Sequence, residues 1–406
     1  MPLKNINGCI ILAISIFSIL VTSTNPRTEL DKFFLLLSSP SSSPDEEKDD
    51  RLDFMESSSI VSLASVQDSA GTTAGIEYDF YRSSCPDAEK IVRSTMAQIY
   101  SHSKDVSPAL LRLFFHDCFV HGCDASILLE DSFGNKSYST EKQAVPNKTL
   151  RGFEKIDAIK EELERVCPGV VSCADIISLA ARDGIVLAGG PFYPVFTGRK
   201  DSTRSYHDEA LAEIPRPDDD LTRLLHLFAL KGFNERETVS LLGAHNVGKM
   251  SCEFIHNRLY NFNGTGQPDP TLSPDFLNEM RSRCREDNST LSRDELLERM
   301  HSRGSIESAS GTQAFQELLS SVPSGADFDT HYYQRLLMGR GLLYADQQLM
   351  ADKKTEGLVR AYASDDGSTF RMDFAGAMMK MSNLNVLTGS QGRVRLNCSL
   401  PLFSTK

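Results

Sequence analysis

The hydrophobic residues of this chain recur mainly at spacings of three and four positions. The spacing is clear in AEKIVRSTMAQIY, FEKIDAIKEELERV, DIISLAARDGIVLA, LTRLLHLFALKGF and TVSLLGAHNVGK, and it is typical of helices that bury one face. Clusters of proline and glycine, such as CPGVVSC, GGPFYP and IPRPDDD, separate these segments and indicate turns between helices. Because the alternating pattern of a half-buried strand is scarce, we predict an all-α core from Gly75 onward.

The first 74 residues do not follow the helical pattern. Lys4, the apolar run from Cys9 to Val21 and the small residues after it predict a signal peptide over residues 1–24, since the run is too short to span a bilayer comfortably. An uncleaved membrane anchor is the alternative. Residues 25–74 are rich in serine and proline and contain ten acidic and four basic side chains. They bury too little apolar surface to offset their ordering entropy, so we predict a disordered acidic extension.

One domain over residues 75–406 accounts for the rest of the chain. It is interrupted at about residues 285–320, where short amphipathic pieces flank SRGSIESASG and predict a surface insertion with partial helix. The chain of 406 residues is 40% hydrophobic and has a formal charge of −12, which is typical of a soluble globular protein. This charge disfavours a nucleic-acid partner, because phosphate binding requires clustered basic residues. We expect a small neutral substrate, with neither nucleic acid nor membrane as a partner.

The cysteines indicate an oxidising compartment. Removal of the signal peptide leaves eight of them, and an even number in an exported protein predicts four disulfides. Counting alone allows about 105 pairings, and proximity suggests only Cys118 with Cys123. The sequons at Asn135, Asn263 and Asn288 also favour export.

The segment RLFFHDCFVHGCDAS, from Arg112 to Ser126, carries an unusual density of reactive groups. If its beginning is helical, Arg112 and His116 are four residues apart and lie on the same face, with Phe115 beside them. A base and a fixed cation on one face can handle a proton and stabilise a developing anion together. We therefore predict a catalytic face here.

His245, in LLGAHNVGKMSC, lies near the end of an apolar helical segment. Taken alone, a satisfied core histidine is the simpler interpretation; together with the Arg112 and His116 face, His245 becomes a candidate axial ligand for haem iron. No zinc-binding spacing competes with this hypothesis. Other histidines are interpreted as solvated or capping groups because their polar neighbours offer no partner pattern: His102, His207, His226, His256, His301 and His331.

These motifs together resemble the class III family of secreted plant haem peroxidases. The resemblance covers Ile76 to Cys398 and includes DFYRSSCPDAEKIV, RLFFHDCFVHGCDASILL, EKQAVPN with RGF, VSCADIISLAARD, GGPFYPVFTGRKD, VSLLGAHNVGK, FDTHYY, GLLYADQQL and MSNLNVLTGSQGRVRLNC. It implies a two-lobed, all-α fold with haem b between distal and proximal helices. It also implies a monomeric enzyme that reduces hydrogen peroxide and oxidises phenolic or similar small donors in one-electron steps.

The resemblance assigns a role to each chemistry-bearing residue. His245 is the axial ligand on the proximal side, and Asp346 accepts the other ring N–H. His116 takes a proton from hydrogen peroxide and returns it to the departing oxygen, while Arg112 stabilises the negative charge that develops. The remaining roles are these: Asn147 orients His116, Glu141 links that network toward a distal metal, Phe115 shields the iron, and Pro215 lies beside the donor channel, where a plain turn proline is the alternative.

Calcium is the second implied cofactor. Asp117, Asp124 and Ser126, with the carbonyl oxygens of Val120 and Gly122, supply hard oxygen donors that suit calcium at a distal site. A proximal site would use Asn246, Ser321, Ser324 and Asp329, where at least one of the family's carboxylates is missing and weaker binding is expected. The implied disulfides are Cys85–Cys167, Cys118–Cys123, Cys173–Cys398 and Cys252–Cys284.

Two further departures from the family bear on the interpretation. Tyr193 replaces the family's tryptophan after the GGP motif, in a chain without any tryptophan, and we expect only a packing change. Asn147 lies in a formal sequon, but a glycan there would destroy the distal network, so we predict that it is unmodified. The contrasting functional hypotheses are a catalytically weak or inactive secreted binding or wall-associated relative, and a calcium-dependent structural protein without haem.

Overall fold

The computed structural model describes residues 75–130, 139–284, 321–325 and 327–401. They belong to one compact unit, Val66–Lys406. The predicted signal peptide, acidic extension and insertion, and the sequons at Asn135 and Asn288, lie outside the described residues.

Helices dominate the described residues, as the spacing of apolar positions predicts. None of the helices in these ranges is long and apolar enough to cross a membrane. The α-helices are α1 Ala88–His102, α2 Val106–Phe119, α3 Phe153–Val166, α4 Cys173–Leu187, α5 His207–Glu213, α6 Leu221–Leu230, α7 Glu235–Leu242, α8 His256–Tyr260, α9 Pro274–Arg283, α10 His331–Leu337, α11 Tyr344–Gln347, α12 Lys353–Ser364 and α13 Ser368–Ser382.

Helix α4 is the centre of the larger hydrophobic core. It begins at Cys173 because the Ser172 side chain accepts a hydrogen bond from the Asp175 backbone N–H, and it is buried on almost every face. Helices α1 and α2 pack against it. The Asp175 carboxylate, which is fully buried, pairs with Arg199 at 2.7 Å and accepts from the Tyr81 hydroxyl at 2.6 Å. This satisfied pair anchors α4, and α4 in turn supports α2, which carries the predicted catalytic face.

A small antiparallel sheet is the main addition to the predicted all-α core. Strands β1, Gly248–Ser251, and β2, Ser321–Gly325, pair with Met250 opposite Val322 and an irregularity between Gly248 and Lys249. Both strands are too short to show a period-two pattern, so the sequence does not reveal them. The prediction of a mainly helical core is confirmed for the described residues, and β1 begins three positions after His245.

Four disulfides join the described elements. Cys85 is bonded to Cys167, Cys118 to Cys123, Cys173 to Cys398, and Cys252 to Cys284. These are the pairs that the family resemblance implies.

Tyr193 fills a buried position in the larger core. Its side chain is 1% exposed, and its hydroxyl has no hydrogen-bond partner. Burial raises the pKa of this phenol. The replacement therefore changes more than packing, because an unpaired buried hydroxyl costs about 1 to 3 kcal/mol.

Candidate active site

Helix α2 brings the predicted base and cation together. Ten of its fourteen residues are buried, whereas Arg112 and Phe115 are only half-buried. Arg112 Nε donates to His116 Nε2 at 3.3 Å, one helical turn away. The spacing of four residues thus places both groups on one face, as predicted. We call this face and its hydrogen-bond partners the distal side.

The tautomer of His116 follows from its neighbours. Asn147 Nδ2 donates to the Glu141 carbonyl oxygen at 2.7 Å, so Asn147 Oδ1 faces the imidazole. His116 Nδ1 lies 2.6 Å from that oxygen and must carry the proton. The lone pair of the neutral ring is therefore on Nε2, beside the Arg112 guanidinium. A base with a free Nε2 is the form that can accept a proton.

The environment keeps this imidazole neutral. Burial, followed by the positive charge of Arg112, lowers the pKa of His116 from 6.5 to about 3, although the hydrogen bond to Asn147 opposes the shift. Burial also lowers the pKa of Arg112, to about 10, so Arg112 still carries its charge at neutral pH. The distal side thus combines a neutral base with a fixed cation.

Backbone and hydroxyl acceptors fix the Arg112 side chain. Nη2 donates to the Pro146 carbonyl oxygen at 3.0 Å, and Nη1 donates to Thr149 Oγ1 at 3.0 Å. Both acceptors flank Asn147, so one short segment orients the cation and the base. Sequence reasoning missed Thr149, which no motif singled out.

The loop after α2 gathers the predicted calcium ligands. Asp117, Asp124 and Ser126 are all buried, and Ala125 in the loop has a positive φ of 59°. Gly122 has a φ of 128°, and a Cβ there would lie 2.6 Å from the Leu384 carbonyl oxygen. Only glycine fits this turn. The loop is therefore held tightly with its oxygens pointing inward.

Several oxygens of this loop lack partners. Asp117 Oδ1, Ser126 Oγ and Glu141 Oε2 are buried without hydrogen bonds. Burial, followed by the charge of Asp124, raises the pKa of Asp117, and burial raises the pKa of Asp124 to about 6. Unpartnered hard oxygens and crowded carboxylates fit a calcium ion. The described ranges contain no group of three or more His, Cys, Asp or Glu side chains arranged for a metal.

Glu141 connects this loop to the distal side through its backbone. Its carbonyl oxygen accepts from Asn147, and its Oε1 accepts from the Tyr206 backbone N–H at 3.0 Å. Ser205 Oγ accepts from the Glu141 N–H at 2.9 Å. Burial and then the charges of Asp124 and Asp117 raise the pKa of Glu141. The link predicted for Glu141 therefore runs through a main-chain oxygen as well as a side-chain charge.

His245 and Asp346 form the opposite, proximal side. His245 lies in a 3₁₀ turn after α7, and its Nδ1 is 2.8 Å from Asp346 Oδ1. The Tyr332 hydroxyl donates to the same carboxylate oxygen at 3.0 Å, and the Leu343 N–H lies 3.3 Å from Oδ2. The carboxylate orients the ring so that Nε2 is free. Sequence reasoning quoted the FDTHYY motif but did not assign this contact to Tyr332.

The free side of the His245 ring faces open space within the molecule. Its side chain is 39% exposed, whereas Asp346 is 2% exposed. Burial lowers the pKa of His245, but the charge and hydrogen bond of Asp346 outweigh it, so the pKa is raised overall; the charge of Arg112 opposes this increase. The charge of Arg112 thus reaches His245, so the two sides lie within electrostatic range of each other. An imidazole with an unpartnered Nε2 fits the axial ligand of a haem.

The predicted proximal calcium ligands are engaged in other contacts. Asn246 Nδ2 donates to the Asp329 carbonyl oxygen at 2.6 Å, and the Ser324 carbonyl oxygen lies 3.0 Å from His331 Nε2. His331 Nδ1 also contacts Asp329 Oδ1. The sequence-based interpretation of His331 as a solvated or capping group did not identify these two partners. The side chain of Ser321 lies outside the description.

Pro215 is half-buried in the segment between α5 and α6. The nearby Pro217 carbonyl oxygen accepts from the Ala345 N–H at 3.0 Å. This bond joins the segment to α11, which carries Asp346. No contact assigns a role to Pro215 itself.

Comparison with known proteins agrees with this geometry. Residues 92–365 match the family model described as Peroxidase. The chain is 49% identical to Putative Peroxidase 48 of Arabidopsis thaliana over 338 residues, which are 80% of this chain and 83% of that protein. It is 37% identical to Peroxidase 1, over 84% of this chain and 97% of the relative, and 40% identical to Peroxidase 10, over 82% and 88%, both from the same plant.

Proposed function

The chain belongs to the peroxidase family and is a haem peroxidase, and from this premise we propose that its distal side moves the proton of hydrogen peroxide while small phenolic donors supply electrons singly. The observation that carries this proposal is the hydrogen bond between His116 Nδ1 and Asn147 Oδ1, which leaves Nε2 as a base beside Arg112. Nothing in the described geometry favours a catalytically weak relative.

Haem b and a distal calcium ion are the cofactors that the residues fit. Haem supplies, when bound, the two electrons that reduce peroxide and recovers them one at a time from donors. His245 would hold the iron through Nε2, with Asp346 making the imidazole a stronger donor. Asp117, Asp124 and Ser126 would hold calcium, with the carbonyl oxygens of Val120 and Gly122. The metal would neutralise carboxylates that are otherwise buried together.

The distal side performs the proton transfer. His116 Nε2 accepts a proton from hydrogen peroxide and then delivers it to the departing oxygen, which leaves as water. The Arg112 guanidinium stabilises the negative charge that develops on that oxygen, and its contacts with Pro146 and Thr149 hold it in place beforehand. Asn147 keeps the proton on Nδ1 throughout, so Nε2 serves as base and then as acid.

Access to this chemistry is narrow. The Phe115 ring packs on Phe119 with centroids 4.2 Å apart and lies edge-on to His116 at 5.6 Å. A fixed ring beside the base admits peroxide and excludes bulky donors, so we propose that phenols react at a more open edge, with Pro215 beside it. Four disulfides fit an oxidising compartment, and we propose a secreted monomer.

Replacing His116 tests the proposal directly. His116→Leu removes the base and the acid together, so we expect the second-order rate constant for peroxide to fall by about 10²- to 10⁴-fold or more. Stopped-flow absorbance of the haem-loaded enzyme measures this step separately from donor oxidation. The matched control is His207→Leu, because His207 bonds only its neighbour Asp208 at 2.9 Å in α5. Equal peroxide rates in both variants would refute the assignment.

A further inference from the structure

A turn of the chain on the proximal side lies where the family resemblance implies a second calcium ion. We call residues 321–325 and 327–331 the proximal loop; they comprise β2, residues 327–330 and the first residue of α10. Asn246, Ser324 and Asp329 would be its calcium ligands. Calcium takes about six to eight oxygen ligands at 2.3 to 2.6 Å, so these oxygens would have to be free to converge.

Two of the candidate ligand oxygens already contact the His331 ring. Asp329 Oδ1 is in contact with His331 Nδ1 and accepts from the His331 backbone N–H at 2.8 Å. The Ser324 carbonyl oxygen lies 3.0 Å from His331 Nε2 and accepts from Arg335 Nη1 at 3.1 Å. This carbonyl oxygen therefore already has a guanidinium donor and lies against a ring nitrogen.

The imidazole ring also occupies the space between the candidate ligands. A Cβ built on Gly325 would lie 2.2 Å from the Asn246 carbonyl oxygen and 2.3 Å from His331 Cε1. The ring edge and the Asn246 carbonyl thus meet at Gly325, and no side chain fits between them. Among the predicted proximal ligand side chains that the structure describes, only Asn246 has an oxygen, Oδ1, that is buried without a partner. The remaining donor set does not fit calcium.

Charge leads to the same conclusion. The Arg335 guanidinium donates to the carbonyl oxygen that a calcium ion would need, and like charges at one oxygen repel each other. Asp329 is the single carboxylate in the set, and fewer charged ligands mean weaker binding. A cationic side chain therefore stands where the family implies a metal.

We propose that the proximal side of this protein holds no calcium, and that the His331 and Arg335 side chains join the proximal loop to α10 in its place. The contacts described above run from Asp329 and Ser324 to α10 without a metal. The loop also adjoins the axial-ligand candidate, since Ser324, Arg335, His245 and Asp346 line one cavity of about 20 Å³. In this proposal, side chains rather than an ion stabilise the proximal loop next to His245. This inference goes beyond the proposed function and does not depend on it.

Calcium content tests the proposal on the haem-loaded protein. After dialysis against metal-free buffer, atomic emission should find one calcium per chain, and none in the double variant Asp117→Asn with Asp124→Asn. A natural chain with no calcium would also agree with an empty proximal side, and would contradict only the distal site. Two ions per natural chain, or one that persists in the double variant, would overturn the proposal.

Hydrogen exchange tests the side-chain support independently. His331→Ala should speed amide exchange in residues 321–325 by about tenfold, the effect of losing one or two hydrogen bonds, and added calcium should not reverse the change. His207→Ala, which removes an imidazole bonded only to its neighbour, should leave that segment unchanged. Unaltered exchange in His331→Ala, or protection restored by calcium, would overturn the inference. Neither result alters the roles proposed for Arg112 and His116.

Discussion

The distal and proximal sides are stabilised by different means. On the distal side, Asn147 and Glu141 join the base to a loop whose oxygens fit calcium. On the proximal side, His245 Nδ1 contacts the Asp346 carboxylate, as the family resemblance implies, and we propose that His331 and Arg335 take the place of the neighbouring metal. In this proposal the groups that touch the reacting atoms are retained on both sides, whereas their support differs. The contacts that stabilise a site can be replaced by others if the orientation of its ligand, here the His245 imidazole, is unchanged.

The largest effect that separates the two sides is expected for Arg112→Leu. Removing the cation that stabilises the departing oxygen should slow the peroxide step by about 10²- to 10³-fold, without changing the axial coordination by His245. Stopped-flow kinetics measures the rate, and resonance Raman spectroscopy measures the iron–histidine stretch. Arg112→Lys keeps the charge but not the contacts with Pro146 and Thr149, so its rate constant should lie between those of the natural enzyme and Arg112→Leu. A shifted iron–histidine stretching frequency in Arg112→Leu would contradict the claim that the distal side does not influence coordination by His245.

A smaller effect is expected for Asp346→Asn, which should change the bond between His245 and the iron, whereas Arg112→Leu should leave that bond unchanged. The amide is a weaker acceptor for His245 Nδ1, so haem affinity or activity should fall by about 10- to 100-fold. The iron–histidine stretching frequency should fall as well, because the imidazole becomes a weaker donor. Asp208→Asn is the control, since that exposed carboxylate contacts the half-buried His207. An unchanged frequency in Asp346→Asn would contradict the proximal assignment.

The pH dependence of the peroxide step sharpens the distal half of the comparison. The pKa of His116 is lowered to about 3, so the neutral, proton-accepting form persists well below the ordinary value of 6.5. The rate constant should therefore stay level from about pH 8 to pH 4 and decline only as the pH approaches 3 and the ring gains a proton. Stopped-flow measurements on the haem-loaded enzyme over this range check the profile. A decline centred near pH 6.5 would show that burial and Arg112 do not control this imidazole.

The smallest effect is expected at a position outside both networks. Tyr193→Phe removes a buried hydroxyl without a partner and should raise the free energy of unfolding by about 1 kcal/mol. Chemical denaturation measures this gain, and the peroxide rate should not change. Tyr333→Phe provides the contrast, because the Tyr333 hydroxyl donates to the Val239 carbonyl oxygen at 3.0 Å and its removal should destabilise. Destabilisation by Tyr193→Phe would mean that its hydroxyl is satisfied.

Local spacing predicts the distal side better than the proximal side. Arg112 and His116 are four residues apart in one helix, and a period of 3.6 brings them together without further information. Asp346 is 101 residues from His245, so no period relates them, and only the family resemblance placed them in contact. The helical segments followed from their apolar pattern, whereas β1 and β2 escaped notice because each contains at most five residues.

The role of His331 was missed for a different reason. Its partners include the Ser324 carbonyl oxygen, and a main-chain oxygen leaves no trace in the sequence. The two residues are seven positions apart and lie in different elements, β2 and α10, so the period of a single helix or strand does not relate them. The substitutions at the predicted ligands indicated only that calcium binding would be weaker, and the proposal that side chains take the place of the ion required the three-dimensional contacts.

The Cys173–Cys398 bond has a consequence for a chain that has been cut. It spans 225 positions and encloses His245 and Asp346, whereas His116 lies before it. Hydrolysis of any single peptide bond between the two cysteines therefore leaves one covalently connected molecule, with both fragments still linked through sulfur. In electrophoresis a nicked enzyme would migrate as one species until a reductant is added. Fragments that carry His116 and His245 would not dissociate on dilution.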